Sequence, residues 1–195
     1  MSTGSSSAPA ARFTRRRALA GGVGLLAAGG VGYLAYQPGN DRQLVFGSLR
    51  QAMQEVERLN AAGSRPLGPA TAWNWAHTLE HCAQSIEFSL HGFPQPKSAL
   101  FQKTAGAAAF SVFAWRGRMS HSLAEPIPGA AALTAADPAT ALARLRQAVA
   151  DFAQHPGPLH PHFAYGALSR SQYEQAHAMH LANHLSAFDA VAQGG

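Results

Sequence analysis

Tyr173-Glu174-Gln175-Ala176-His177-Ala178-Met179-His180-Leu181-Ala182-Asn183-His184-Leu185-Ser186-Ala187-Phe188-Asp189-Ala190-Val191 is the stretch whose periodicity decides the fold class. At about 100° per residue, Tyr173, Ala176, His180, His184, Ala187, Phe188 and Val191 fall within one arc of a helix, with His177 beside them. Three histidines therefore stand on or next to the stripe that should face a core. A neutral imidazole there must satisfy one donor and one acceptor, so it needs a buried polar partner or a metal ion. His180 and His184, four residues apart, bring their Cβ atoms to about 5–6 Å on one face, close enough to share one divalent ion. Ser169 caps this helix, with Gln172 at the capping-box spacing.

Working outward, Ala139 to Ala153 turns Leu142, Leu145, Val149 and Phe152 inward and Arg144 and Arg146 outward, and His155-Pro156-Gly157-Pro158 closes it. Ser98 to Arg116 is apolar, with Phe101, Ala105, Ala109, Phe110 and Phe113 spaced for a buried helix that Gly117 ends. Between these two, Met119 to Pro138 is rich in Pro, Ala and Gly and reads as an extended crossover. Thr71 is the candidate N-cap of a helix that runs to about Leu90, stopped by His91-Gly92-Phe93-Pro94. The first helix is expected over Asp41 to Ala61, on Leu44, Val45, Leu49, Ala52, Val56 and Leu59. The turn Gly63 to Pro69 makes it an antiparallel neighbour of the second. No convincing strand and no internal repeat appears, so the expectation is an all-α bundle over residues 41–192 with one long crossover.

The chain has 195 residues and a formal charge of +5. Four of its fifteen basic residues, Arg12, Arg15, Arg16 and Arg17, lie in the first forty residues, where no acid stands, leaving eleven basic against ten acidic side chains beyond. A nearly neutral body without a basic stripe excludes nucleic acid as the expected partner. The start reads instead as export: Thr14-Arg15-Arg16-Arg17-Ala18-Leu19 leads into an uncharged Gly/Ala-rich run from Ala18 to Tyr36. Arg15 and Arg16 with that run resemble a twin-arginine signal, so residues 1–40 are expected to be a signal or membrane anchor. The expected location is the periplasm or the inner membrane, reached through the twin-arginine machinery. Cys82 is the single cysteine, which excludes an intrachain disulfide and fits a small buried helix residue.

A second helix adds His77 and His81, again four apart. Two helices that each present histidines to a bundle interior are one way to build a metal site, and three imidazoles would suit zinc, nickel or another late first-row ion. The spacing leaves the alternative open that these are hydrogen-bonded core or surface histidines. The main apolar arc of this helix, Trp75, Ala76, Leu79, Cys82, Ala83, Ile86 and Leu90, leaves His81 nearly opposite, with Trp73, His77, Gln84 and Phe88 on its side. For His81 to be buried, the helix must be covered on both faces. His77, Gln84 and His177 are candidates to line the pocket or to orient a ligand. Glu80 and Glu87 read as solvated, His91 and His121 as surface residues, and His155, His160 and His162 as parts of a rigid Pro-rich loop.

The wording of two blocks goes further. Trp73-Asn74-Trp75, His81-Cys82-Ala83-Gln84-Ser85-Ile86-Glu87 and Gly92-Phe93-Pro94 form the first. His160-Pro161-His162-Phe163 through Gly166, Leu168-Ser169, His180-Leu181 to His184-Leu185 and Phe188 form the second. Together they resemble the DinB-like (YfiT-like) superfamily of metal-binding four-helix bundles, and within it the branch known as domain of unknown function 1569. The resemblance implies an up-down-down-up four-helix bundle with a long crossover and an extra helix. It also implies a divalent metal held by one histidine of the second helix and an H-x-x-x-H pair of the last, here His81, His180 and His184. The sequence departs from the branch at Tyr173, where tryptophan is common, and at Asn183, where a further histidine often stands; neither is a proposed ligand.

The function expected is therefore that of an exported metal-dependent enzyme acting on a small molecule, a hydrolase or a thiol-transferase by analogy with the superfamily. The alternative is a non-catalytic exported module that binds metal or a partner. A carboxylate or Tyr165 facing the site would favour the enzyme. A homodimer is expected only by analogy.

Overall fold

A computed structural model describes residues 42–67 and 73–191, so Arg15, Arg16, the apolar run after them and Thr71 lie outside the described residues. The described chain is mostly helical. Helix α1 is Leu49–Ala62, α2 is Trp75–His91, α4 is Pro138–Gln154 and α5 is Arg170–Leu185. Helix α3 is continuous but made of three stretches, Ala99–Phe101, a π turn Gln102–Gly106 and Ala107–Arg116. Among the described residues no helix is long and apolar enough to cross a membrane.

Short polar side chains set the helix starts. Ser48 accepts a hydrogen bond from the Gln51 amide, and Asn74, in the place expected of Thr71, accepts from the His77 amide. Asp137 accepts from the Ala139 and Thr140 amides with Pro138 opening α4, and Ser169 forms the full capping box with Gln172. Gly92 and Gly117 end α2 and α3 at positive φ.

Helix α2 packs along α4 and also touches α5, while α1 packs on α5. Their shared core joins Leu49, Val56 and Leu59 of α1 with Leu79, Ile86 and Leu90 of α2, Leu142 and Leu145 of α4, and Leu181 and Leu185 of α5. Burial removes this apolar surface from water at roughly 25 cal/mol per Å² and is the main force holding the helices together. Helix α2 is buried nearly all round, His81 included, so the covering on both faces that the sequence required is present.

Three expectations are corrected. The first helix starts at Leu49 and not at Asp41, because residues 42–47 run without regular structure past the end of α5, with Gln43 at positive φ. Arg42 donates its amide to the Ser186 carbonyl and Leu44 donates to the Ser186 hydroxyl, leaving Val45 56% exposed. The last helix stops at Leu185: Phe188–Ala190 is a strand, β2, antiparallel to β1, Ser64–Pro66, with Ser64 opposite Ala190. Phe188 is buried from that ladder, so its four-residue spacing from His184 had imitated a helix. Helix α3 is not a buried helix. Phe110 and Phe113 are buried, but Leu100, Phe101 and Trp115 are exposed.

The π turn of α3 ends at a close contact with the loop 159–168. A Cβ on Gly106 would lie 1.9 Å from the Ala164 carbonyl oxygen, so α3 presses bare backbone against the loop 159–168. Gln102 fastens the same contact by donating to the His162 and Phe163 carbonyls. That loop forms one wall of the cavity described next.

Candidate metal centre

Helix α2 delivers His81 from its middle, and α5 delivers His180 and His184 from successive turns. One ring nitrogen from each lies within 4.8 Å of the others. The Nε2 atoms of His81 and His180 stand 3.2 Å apart. Two nitrogens on one tetrahedral ion, each bonded at about 2.0–2.1 Å, would be about 3.3 Å apart. His81 and His184 are buried, and His180 is partly exposed toward the cavity. Trp73 packs over two of them, its ring 4.6 Å from that of His81 and 6.0 Å from that of His184.

The electrostatics leave these imidazoles neutral. Burial is the main cause in each case: it lowers His81 to about 3, with neighbouring His121 adding to the effect. His180 and His184 are held well below the usual range by burial and then by the other histidines. Neutral imidazoles keep the lone pairs that a metal requires. His184 Nε2 and His81 Nδ1 are both buried with no hydrogen-bond partner. Leaving a buried polar atom unpaired costs about 1–3 kcal/mol, and an ion would satisfy the first of these two. The donor set therefore fits a divalent ion: three buried histidines could hold one.

Two of the three, His81 and His180, open onto a cavity of about 220 Å³. Its walls include His81, His177 and His180, the crossover residues Met119, His121, Glu125 and Ile127, and His162, Phe163 and Tyr165 of the 159–168 loop, with Lys97 beside them. Tyr165 and Glu125 thus share the cavity with the histidine cluster.

The other sequence candidates fall differently. His177 lines the cavity, but its Nε2 lies 3.2 Å from the Ser89 hydroxyl, which donates its own proton to the Ile86 carbonyl. Nε2 of His177 is therefore the donor, and the ring packs between Tyr173 and Phe152. Gln84 turns to the crossover, donating to the Ala131 carbonyl. His77 is half-buried and does not line the cavity. His162 accepts at Nδ1 from the Ala164 and Tyr165 amides and stacks on the Tyr165 ring at 4.2 Å, which makes the Pro-rich loop rigid. Cys82 is buried, and burial pushes its thiol up to about 12.

Two readings fail. Glu80 is not solvated: it is 5% exposed, accepts from the Thr134 and Ala135 amides at 2.8 Å and pairs with Arg144 at 3.0 Å. His121 is not an ordinary surface residue. Its ring lies 5.1 Å from that of His180 and 5.0 Å from that of His184. No periodicity marks it, because it stands in a segment without regular structure. Its place is set by distant fastenings, the Glu80 and Gln84 contacts with residues 131–135, and by Asn183, which donates to its carbonyl.

No curated protein and no solved structure matches this chain. A family model does match residues 39–190, which spans every element described above. The chain belongs to the family described as "protein of unknown function (DUF1569)".

Proposed function

We propose that this protein is an exported, metal-dependent enzyme that acts on a small molecule bound in the cavity, with His81, His180 and His184 holding a zinc or nickel ion. The observation that carries the reading is the convergence of three buried, neutral imidazoles, with their nitrogens within 4.8 Å, beside an open cavity. A bound divalent ion supplies Lewis acidity, which at neutral pH makes hydroxide from water or thiolate from a thiol, the chemistry of a hydrolase or a thiol-transferase. The chain's own part is to keep the three imidazoles unprotonated and to exclude bulk water with Trp73. Glu125 and Tyr165 place a carboxylate and a phenol in the cavity wall, which favours the enzyme over a module that only binds metal.

The DinB-like up-down-down-up bundle is the arrangement we assign to these helices, on the resemblance of the two sequence blocks. Export through the twin-arginine machinery rests on Arg15, Arg16 and the apolar run after them. Such a route carries folded proteins, which suits a metal acquired before export. A homodimer is assigned only by analogy.

The test is elemental mass spectrometry of the full-length untagged protein beside a His180→Ala, His184→Ala variant purified identically. Near-stoichiometric metal in the first and none in the second is expected. A metal-free protein after incubation with zinc and with nickel would leave the non-catalytic module as the better account.

A further inference from the structure

His121 stands outside the ligand set assigned above, yet its ring lies against two members of that set. Four imidazoles on one tetrahedral ion, bonded at about 2.0–2.1 Å, hold their ring centres about 5.2 Å apart. The three assigned ligands have ring separations of 5.0 Å for His81 and His180, 4.7 Å for His81 and His184, and 4.8 Å for His180 and His184. Toward two of the three, His121 repeats that spacing, at 5.1 Å from His180 and 5.0 Å from His184.

Its tautomer is also fixed. His121 Nδ1 lies 2.9 Å from the Ser122 carbonyl oxygen, which can only accept. Nδ1 therefore carries the proton and Nε2 carries the lone pair. A ligating histidine typically has its second nitrogen on a backbone carbonyl or carboxylate in this way. The tightest set of nitrogens is that of His81, His180 and His184. His121 is not in that set, so its ring would have to shift to join it.

We propose that His121 is a fourth nitrogen ligand, contributed by the crossover, that closes the ion's coordination in the absence of substrate. This rests on the metal reading above. With four nitrogens in place, a substrate reaches the ion only by displacing His121 or by expanding the coordination to five.

The test is a long-range proton–nitrogen correlation spectrum of the full-length untagged protein, labelled with 15N at histidine and titrated with zinc. Single variants, His121→Gln among them, provide the assignments. The expected result is that Nε2 of His81, His121, His180 and His184 move together to the shift of metal-bound imidazole nitrogen. His121→Gln should then weaken zinc binding by about 10–100-fold, a loss typical of removing a group that supports a metal site. If three histidines move and His121 keeps the shift of a free neutral ring, the inference falls while the metal site stands. If none moves, the metal reading falls and takes the inference with it. The wild-type spectrum decides between these outcomes even if the variant folds poorly.

Discussion

Helix α2 buries polar groups on two sides, and the two sides treat them differently. Toward α4 and the crossover, Glu80 accepts from two backbone amides and pairs with Arg144, whose other nitrogens reach both oxygens of Glu87, while Gln84 donates to the Ala131 carbonyl. Toward α5, His81 meets His180 and His184, and two buried nitrogens are left without a partner. Buried polar groups in native proteins are nearly always paired. The first side is complete within the chain and reads as a fastening of the fold. The second leaves two nitrogens unpaired within the chain, and an ion could satisfy the one on His184.

That contrast breaks if the wrong side proves costly to mutate. The largest effect is expected from Glu80→Ala, which strands two amides and leaves Arg144 with Glu87 alone. Losing one partner of a buried pair costs about 3–5 kcal/mol, and Arg144 is partly exposed, so about 3 kcal/mol should be lost in urea unfolding. Next comes zinc. At a hundredfold excess over its dissociation constant it should stabilise the unmodified protein by about 2.7 kcal/mol. It should leave the His180→Ala, His184→Ala variant unchanged, read as the shift in unfolding midpoint. Gln84→Ala removes one hydrogen bond from the crossover and should cost about 1 kcal/mol by the same measurement. The smallest effect sharpens the comparison most. In metal-free protein His184→Leu replaces an unsatisfied imidazole by a side chain of similar size, so stability should change by less than about 1 kcal/mol in either direction. The stabilisation by zinc should nevertheless disappear. A loss of 3 kcal/mol there would mean that His184 is a structural residue like Glu80.

Much of this was legible from residues alone, for identifiable reasons. Ser169 with Gln172, Gly92 and Gly117 fixed helix ends because each has a local mechanism that needs no tertiary contact. The grouping of His81 with His180 and His184 was anticipated through the resemblance of the two sequence blocks, because on periodicity alone His81 lies nearly opposite the apolar arc of α2. The ends of the domain were obscure. Leu44 and Val45 extend the spacing of α1, and Phe188 and Val191 extend that of α5, yet hydrogen bonds from residues 42 and 44 to Ser186 keep the first segment out of its helix and the ladder with β1 keeps Phe188 out of the other. Periodicity cannot see such long-range competition. The same limit hid His121: it is held by Asn183 of α5, on a crossover that Glu80 and Gln84 fasten some ten residues further along. The burial of Glu80 was missed because its partner Arg144 lies on another helix.

The ladder between β1 and β2 also sets an order in time. Ser64 pairs with Ala190, and α1 buries its apolar face against α5, so the earliest described elements are completed by the latest. Contacts this distant in sequence form slowly, because loop closure must precede the interactions that reward it. During synthesis α1 would wait, with its apolar stripe uncovered, for the final helix to emerge. His180 and His184 arrive on that same helix, ninety-nine residues and more beyond His81. An ion would therefore find its nitrogens together only once the body had closed, so that maturation of the site and completion of the fold become a single late event.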